Sequence, residues 1–378
     1  MQKWKIPLYK VMVNKDDKKI ISRIIDRGTF WAMGPEIEEF ETALSNYIGT
    51  KFCVSFNSGT SALHGSLISY GIGSGDYIAV PSFTFIATVN SPLMVNAVPQ
   101  FIDIEEKTLG LDPEKLEKLI TKKTKAIIPI HYGGLPCQID KISSISKIMK
   151  KILIEDAAEA IGSKFKNKKI GTFGDSAIFS FAGNKVITTG EGGAVITNSE
   201  KIYKKLKLIR SHGRLDKQNY FQSISKPEYV SLGYNWRMSS ITAALGIIQL
   251  SRIDTIINLR RKKARALNSK LKKIKEIIIP QEPKGSLHTY QMYPIRLANL
   301  KIKNKLMKFL EQKRIMTKVF FHPVHLSKFY KNRNLSSHNL SITEKISDQI
   351  LCLPIYPDLK TEEINYICNS ISEFFEKS

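Results

Sequence analysis

The sequence has few cysteines, few tryptophans and a shortage of acidic residues relative to basic ones. Its 378 residues include four cysteines and three tryptophans, and 34 acidic side chains stand against 58 Lys and Arg. The cysteines form no CxxC pair, and no histidine lies near them at the spacing of a metal site. Reduced structural thiols are therefore expected, and neither a disulfide framework nor a bound metal is predicted.

Long apolar runs are also missing. The most apolar segments, such as 126–130, have the length of a strand, and none reaches the roughly 20 residues of a membrane-spanning helix. The N-terminal segment MQKWKIPLYK lacks the apolar core of a signal peptide. We therefore expect a cytoplasmic protein with no membrane partner. The length, with 42% apolar residues, suits a globular chain of two or three domains.

The excess of basic residues gives a formal net charge of +24. Such a charge is compatible with nucleic-acid binding through a basic face. The lysines, however, lie in short clusters along the whole chain, as at 122–123, 204–205 and 270–275, and form no single stripe interleaved with aromatics. We therefore expect no nucleic-acid partner. The basic field would also attract an anionic sugar-nucleotide.

Strand-like and helix-like segments alternate from residue 52 to residue 155. Predicted strands are 52–56, 77–80, 100–104, 126–131 and 152–155, and predicted helices are 60–69, 85–95, 113–120 and 139–150. This alternation predicts an α/β fold with a mostly parallel sheet covered on both faces. In such sheets, ligands gather at the carboxyl ends of the strands.

The pattern changes from about residue 235. A single long helix is predicted over 239–275, followed by a strand at 290–297, a helix at 304–313, a strand at 317–321 and a helix at 361–376. We expect a large domain over residues 1–250, which includes an N-terminal arm, and a smaller C-terminal α+β domain over residues 251–378.

Lys185 lies between two β-rich segments in the stretch 175–198, DSAIFSFAGNKVITTGEGGAVITN. Glycines and hydroxyl residues surround it in sequence. Partial burial there would lower the cost of the neutral amine, which a carbonyl-attacking lysine needs. The alternative is an ordinary surface lysine of a β-hairpin.

Other candidate site residues follow neighbouring strands. Gly59 begins a helix directly after a strand, where free N–H groups attract an anion, although SGTS is also an ordinary helix cap. Phe85 follows the next strand and is either a stacking aromatic or a core residue. Asp156 ends a buried strand and needs a positive partner there. An acid, a stacking ring, a phosphate cup and a lysine are the usual protein contributions to pyridoxal phosphate chemistry.

Five motifs carry a resemblance that covers nearly the whole chain. They are NSGTSAL, PSFTFIAT, EDAAEAIGSKFKNKKIGTFGD, SFAGNKVITTGEGG and GYNWRM. Together they resemble the nucleotide-sugar aminotransferases (DegT-type) of the fold-type-I pyridoxal phosphate enzymes. The run NKVITTGEGG is most similar to the members that form GDP-perosamine by aminating C4 of a 4-keto-6-deoxyhexose. The resemblance implies a pyridoxal 5'-phosphate cofactor, a nucleotide-sugar substrate and L-glutamate as donor.

The resemblance also implies roles for individual residues. Lys185 matches the catalytic lysine that forms a Schiff base with the cofactor, and Asp156 matches the acid on the pyridine nitrogen. Glu159 matches a residue near the phenolic oxygen, and Phe85 matches the aromatic over the ring. The phosphate ligands correspond to Gly59, Thr60 and Ser180.

Asn235 matches an asparagine that reaches the phosphate from a neighbouring subunit, which implies a homodimer with shared active sites. The expected substrate-binding residues are Trp31, Arg237, His322 and His325. His322 stands where a tyrosine is expected, and either histidine is alternatively a proline-turn residue held by the backbone. Two alternatives stay open for the function: an aminotransferase for a UDP- or dTDP-linked keto-sugar, at C4 or C3, and a non-catalytic binding or regulatory protein.

Overall fold

The computed structural model describes residues 4–215, 224, 226–333, 335 and 338–377. The α-helices in these ranges are α1 (Lys15–Asp26), α2 (Glu36–Ile48), α3 (Gly59–Ser69), α4 (Ala87–Met94), α5 (Pro113–Leu119), α6 (Ile139–Ile148), α7 (Glu200–Arg210), α8 (Ser240–Ser251), α9 (Ile253–Leu271), α10 (Leu300–Gln312), α11 (Lys328–Lys331), α12 (Ser341–Gln349) and α13 (Thr361–Glu376). The strands are β1 (Phe52–Phe56), β2 (Tyr77–Pro81), β3 (Val98–Ile102), β4 (Thr124–Ile127), β5 (Ile152–Asp156), β6 (Lys164–Phe165), β7 (Lys168–Lys169), β8 (Ser176–Ser180), β9 (Gly193–Thr197), β10 (Arg214–Leu215), β11 (Glu228–Tyr229), β12 (Ser286–Leu287), β13 (Tyr293–Arg296) and β14 (Ile350–Leu353).

The main sheet has seven strands in the order β1-β9-β8-β5-β4-β2-β3. Four neighbouring pairs, from β8 through β5, β4 and β2 to β3, are parallel. Strand β9 is antiparallel to both β1 and β8, so β1 points the same way as β8. The carboxyl ends of β1, β2, β5 and β8 therefore meet at one edge of the sheet. The predicted mostly parallel α/β fold is confirmed.

Both faces of this sheet are buried, which explains why its strands read as continuous apolar runs. Along β5, Leu153 belongs to one apolar cluster and Ile154 to another, because successive side chains point to opposite faces. The first cluster also contains Phe40 of α2, and the second contains Leu63 of α3. Helices thus cover the sheet on both sides.

A separate apolar cluster lies in the C-terminal part of the chain. It joins residues of α9, α10, β13, β14 and α13, and it also includes Ile6 near the N-terminus. Ile6 forms a parallel bridge with Ile315, and the N–H of Met316 donates to the Ile6 carbonyl at 2.9 Å. The N-terminal arm is thereby attached to the C-terminal part. The division at residue 250 stays a prediction.

The prediction of one helix over 239–275 is wrong, because the chain forms α8 and α9 with a 61° bend between them. Arg252, between the two, leaves helical geometry with φ −117° and ψ 14°. Its guanidinium bonds to the carboxylate of Asp17 and the carbonyl of Met12. These long-range contacts favour the break.

The predicted strand at 317–321 is also wrong. Only Lys318 pairs there, as an isolated antiparallel bridge with Cys352. Two residues later, the Phe320 carbonyl accepts a hydrogen bond from the Tyr132 hydroxyl and is not part of a ladder.

In the described part of the chain, no single helix is both long and apolar enough to cross a membrane. The bent pair Ser240–Ser251 and Ile253–Leu271 reaches that length and apolarity only when its two helices are taken together.

Candidate active site

A cavity of about 530 Å³ lies at the carboxyl ends of the parallel strands. Its volume is in the range of small-molecule and cofactor sites. The cavity brings together most of the predicted cofactor residues: Gly59, Thr60, Phe85, Asp156, Glu159, Ser180 and Lys185. Gly59 and Thr60 begin α3 shortly after β1, and the others lie at the ends of β5 and β8 or in the loops that follow β2, β5 and β8. The sheet topology therefore accounts for their convergence.

Lys185 and Glu159 form an ion pair inside this cavity. The Lys185 Nζ lies 3.6 Å from Glu159 Oε1, and the two side chains are only 13% and 12% exposed. The other carboxylate oxygen of Glu159 accepts the N–H of Gly133 at 2.9 Å. Burial raises the pKa of Glu159, and the nearby Lys185 ammonium acts in the opposite direction. The amine is thus held against a fixed carboxylate.

Asp156 presents a buried carboxylate to the same cavity. Its Oδ2 accepts the Thr88 hydroxyl at 2.7 Å, and its Oδ1 accepts the Ala158 N–H at 3.2 Å. Thr88 is itself 2.8 Å from the hydroxyl of Thr84. Burial raises the pKa of Asp156, partly offset by the Thr88 hydrogen bond. A cation placed against this carboxylate would relieve its desolvation.

The N-terminus of α3 forms a second wall. Ser58 caps the helix by accepting the Ser61 N–H at 3.0 Å. Gly59 packs against Ser180, since a side chain at Gly59 would lie 3.0 Å from the Ser180 Cβ. A side chain at Gly193 would clash with the Ser58 carbonyl. Glycine at both positions therefore lets the strands approach a helix end whose first N–H groups favour anions.

Phe85 is 59% exposed, although it is aromatic and lines the cavity. Its ring centroid lies 6.2 Å from that of Phe321, which lines the cavity as well. Phe85 is therefore not a core residue of the chain, and its ring is accessible from the cavity. This placement excludes the core-aromatic alternative.

Five other predicted residues do not line the cavity: Asn235, Arg237, Trp31, His322 and His325. Asn235 is exposed and lies in sequence between Tyr234 and Trp236, whose rings stack with their centroids 3.8 Å apart. Arg237 Nη1 donates to a serine hydroxyl at 3.3 Å. Trp31 is 46% exposed. A residue that served a neighbouring subunit would need such an exposed position, but a partner role for Asn235 stays a prediction.

The two predicted histidines have different surroundings. His322 is exposed and follows cavity-lining Phe321. His325 has contacts within the chain at both ring nitrogens: Nδ1 is 2.6 Å from the Ser82 hydroxyl, and Nε2 is 3.2 Å from Glu344 Oε1. Its main-chain N–H also donates to Ser82 at 3.0 Å. The ring of His325 is thus held by side chains rather than by the backbone, and a role at the substrate stays a prediction.

Several cavity residues were not predicted from the sequence. His131 lines the cavity, and its Nδ1 accepts the Cys137 N–H at 3.3 Å, which assigns the proton to Nε2. That nitrogen donates to buried Glu155 at 3.2 Å. Thr88 and Lys318 also line the cavity. Only the position of His131 at the end of a predicted strand could have suggested its location.

Among the described residues, no group of three or more His, Cys, Asp or Glu side chains could hold a metal ion.

Comparison with known sequences gives long matches. The chain is 35% identical over 382 residues to the uncharacterized protein MJ1066 of Methanocaldococcus jannaschii, covering 99% of this chain and 98% of that protein. It is 34% identical over 370 residues to the GDP-perosamine synthase of Escherichia coli O157:H7, covering 98% of both.

Solved structures of other proteins also align with this chain over nearly its full length. Helicobacter pylori PseC, an aminotransferase involved in the biosynthesis of pseudoaminic acid, aligns with a TM-score of 0.92 at 28% identity and covers 100% of both chains. Spr1654 of Streptococcus pneumoniae, a candidate sugar aminotransferase, aligns in its PMP form with a TM-score of 0.92 at 26% identity, over 99% of this chain and 100% of that one.

A family model matches residues 12–372, and the aminotransferases it describes use pyridoxal phosphate. The chain therefore belongs to the DegT/DnrJ/EryC1/StrS aminotransferase family and is a pyridoxal phosphate-dependent sugar aminotransferase.

Proposed function

We propose that the chain transfers an amino group from L-glutamate to the 4-ketone of GDP-4-keto-6-deoxy-mannose and so forms GDP-perosamine. The observation that supports this substrate is the similarity to the E. coli GDP-perosamine synthase over 98% of both chains. The run NKVITTGEGG around Lys185 supports amination at C4.

The cavity residues suit pyridoxal phosphate. The α3 N-terminus, with Gly59, Thr60 and Ser180, would hold the phosphate by N–H and hydroxyl groups. The buried carboxylate of Asp156 would pair with the protonated ring nitrogen, and this ion pair would offset the desolvation that raises the pKa of Asp156. Exposed Phe85 would cover the ring. When bound, the cofactor supplies an electron sink for the carbanion at the reacting carbon.

Lys185 would hold the cofactor and, once the donor has displaced it, act as the general base and acid. Its amine would move a proton between the donor α-carbon and C4′ of the cofactor. Glu159, 3.6 Å from that amine, would keep the lysine oriented and lie near the phenolic oxygen. The two substrates would react in turn, as ping-pong covalent catalysis requires.

The position and charge of Lys318 support the proposal of an anionic substrate. Lys318 lies exposed on the cavity wall, with its Nζ 5.2 Å from the centroid of the Phe320 ring, which also lines the cavity. Its backbone is fixed by two hydrogen bonds to Cys352: the Lys318 N–H donates to the Cys352 carbonyl, and the Lys318 carbonyl accepts the Cys352 N–H. In the described ranges no carboxylate lies within ion-pair distance of Lys318, so its charge is available to a donor carboxylate or a diphosphate.

The shared homodimeric site belongs to the same proposal. Exposed Asn235 would reach the phosphate in the neighbouring subunit, and exposed Trp31 and His322 would lie near the sugar-nucleotide with Arg237. His325 would influence the substrate only indirectly, by fixing the conformation of the loop that carries it. Its ring nitrogens already contact Ser82 and Glu344.

The substrate is tested by single-turnover reactions of the amino-loaded enzyme with GDP-, UDP- and dTDP-linked 4-keto-6-deoxy sugars and with a 3-keto sugar nucleotide. The proposal predicts the fastest reaction with GDP-4-keto-6-deoxy-mannose and a 4-amino product by NMR. Faster turnover of a UDP- or dTDP-linked sugar, or a 3-amino product, would replace it. Absence of reaction with every sugar, together with no cofactor band, would favour the binding-protein alternative.

Lys318→Met should raise KM for the anionic substrates about tenfold, because a hydrogen bond to a charged group is lost. The matched control is Lys305→Met, which removes the same charge from an exposed position on α10. Equal KM values for the two variants would show that Lys318 does not bind substrate.

A further inference from the structure

Lys185 sits on an irregular segment, and its position therefore depends on tertiary contacts. Its own N–H donates to the Ala182 carbonyl at 3.0 Å. The preceding residue, Asn184, is held from a distant part of the chain, since Gln291 Nε2 donates to the Asn184 carbonyl at 2.6 Å. Gln291 is only 5% exposed, so this hydrogen bond is shielded from water.

The segment that carries Gln291 is anchored to the loop that holds Glu159. The N–H of Thr289 donates to the Gly134 carbonyl, and the N–H of Met292 donates to the Gly133 carbonyl, both at 3.1 Å. Gly133 in turn donates its N–H to Glu159 at 2.9 Å. A side chain at Gly134 would clash with Thr289. One short segment thus contacts the supports of both members of the Lys185–Glu159 pair.

Arg260 of α9 also holds this segment. Its Nη1 donates to the carbonyls of Tyr290 at 3.0 Å, Gln291 at 3.5 Å and Ile355 at 3.3 Å. The side chain is 2% exposed, and burial lowers the pKa of Arg260 to about 10. No ion pair joins it to a carboxylate in the described part of the chain. The hydrogen bonds of this buried guanidinium go to main-chain carbonyls, which indicates that they fix the conformation of the backbone there.

We infer that Gln291 is a positioning residue for Lys185: its amide holds the Asn184 carbonyl and so sets the direction of the lysine amine toward Glu159 and the cofactor. This inference rests on the proposed role of Lys185. It concerns a residue that contacts neither substrate nor cofactor in the proposed mechanism. Arg260 and the Gly133–Gly134 turn keep Gln291 in place.

The test compares Gln291→Leu with Gln249→Leu. Gln249 is 1% exposed and donates from Nε2 to Asp17 Oδ1 at 2.9 Å, so both substitutions remove a buried amide of the same size. Gln249 lies on α8, outside the cavity lining. Gln291→Glu, whose ionised side chain accepts but does not donate, is the second variant.

Four measurements are made on each protein: thermal unfolding of the apoprotein, the dissociation constant of pyridoxal phosphate, the pH midpoint of the absorbance of the lysine-bound cofactor, and the single-turnover rate with L-glutamate. Both Leu variants should lose stability, and Gln249→Leu should lose at least as much, because its amide donates to the Asp17 carboxylate and to the Met12 carbonyl. Only the Gln291 variants should shift the pH midpoint and bind the cofactor more weakly, and their single-turnover rate with L-glutamate should fall on the order of 10- to 100-fold, as expected for a misplaced catalytic group.

If Gln291→Leu and Gln291→Glu match Gln249→Leu in cofactor affinity, pH midpoint and rate, Gln291 is only structural and the inference fails. This outcome is distinct from failure of the proposed role of Lys185, on which the inference rests. In that second case the wild-type protein itself would show no absorbance of a lysine-bound cofactor.

Discussion

Replacement of Asp156 by asparagine should separate the stability of the apoprotein from its affinity for the cofactor. The carboxylate is 6% exposed and is contacted by the Thr88 hydroxyl and the Ala158 N–H. Asparagine has the same shape, still accepts from Ala158 and carries no charge. The substitution therefore removes a buried charge and leaves no cavity.

The direction of the effect follows from the raised pKa of Asp156. A carboxyl whose pKa in the folded state lies above its ordinary value of 3.8 binds its proton more tightly in the folded protein. Its ionisation therefore costs stability as the pH rises above 3.8 and through the raised pKa. Asp156→Asn removes this cost. We expect the variant apoprotein to be at least as stable as wild type at pH 8, with a smaller advantage at pH 5.

The cofactor reverses the order of stability. At a concentration of 100 times the dissociation constant, pyridoxal phosphate should stabilise the wild-type protein by about 2.7 kcal/mol. Loss of a charged hydrogen bond to the ring nitrogen, about 1.5–3 kcal/mol, weakens binding up to roughly 100-fold. At the same cofactor concentration, the variant would then gain only about 0.4 kcal/mol.

The assay is urea unfolding of wild type and Asp156→Asn, with and without cofactor, at pH 5 and pH 8. Asp140→Asn serves as control, since Asp140 forms an exposed ion pair with Lys166 at 3.0 Å and should change little. A variant apoprotein more than about 1 kcal/mol less stable than wild type at pH 8 would show that the Asp156 charge does not cost stability. Equal stabilisation of both proteins by the cofactor would refute the pairing of Asp156 with the ring.

Two further substitutions test the supports of the site. Thr88→Val keeps the volume and removes the donor to Asp156, so the pKa of Asp156 should rise further and the apoprotein should lose about 1.5–3 kcal/mol in urea unfolding; unchanged stability would show that the hydrogen bond is dispensable. Gly193→Ala places a methyl group against the Ser58 carbonyl and should cost about 1–3 kcal/mol and weaken cofactor binding. Gly183→Ala, where the nearest atom lies 3.9 Å away, is the control, and equal effects would contradict the packing argument.

Sequence patterns were sufficient to predict the strands whose ends form the site. Strands 52–56 and 152–155 were predicted within a residue of β1 and β5, because continuous apolar runs bounded by polar residues are typical of buried parallel strands. Gly59, Asp156 and Lys185 follow such strands, and the sheet order brings them to one cavity. Local pattern and topology together therefore predicted the convergence of the cofactor residues.

The remaining features depend on contacts that are distant in sequence. The break between α8 and α9 occurs at Arg252, whose guanidinium bonds to Asp17 near the N-terminus. His325, expected at the substrate, contacts Ser82 across 243 positions. Gln291, 107 positions after Asn184, has no sequence motif of its own. No local periodicity encodes such pairs.

Lys185 is proposed to carry the cofactor and to perform the proton transfers of transamination. The most direct measurement is the visible absorbance spectrum of the purified protein with pyridoxal phosphate, before and after addition of L-glutamate, for wild type and Lys185→Ala. Wild type should show the band of a lysine-bound cofactor, glutamate should convert it to the pyridoxamine band, and the folded Lys185→Ala protein should show neither. A wild-type protein without the first band, or a Lys185→Ala protein that still converts glutamate, would overturn this role of Lys185.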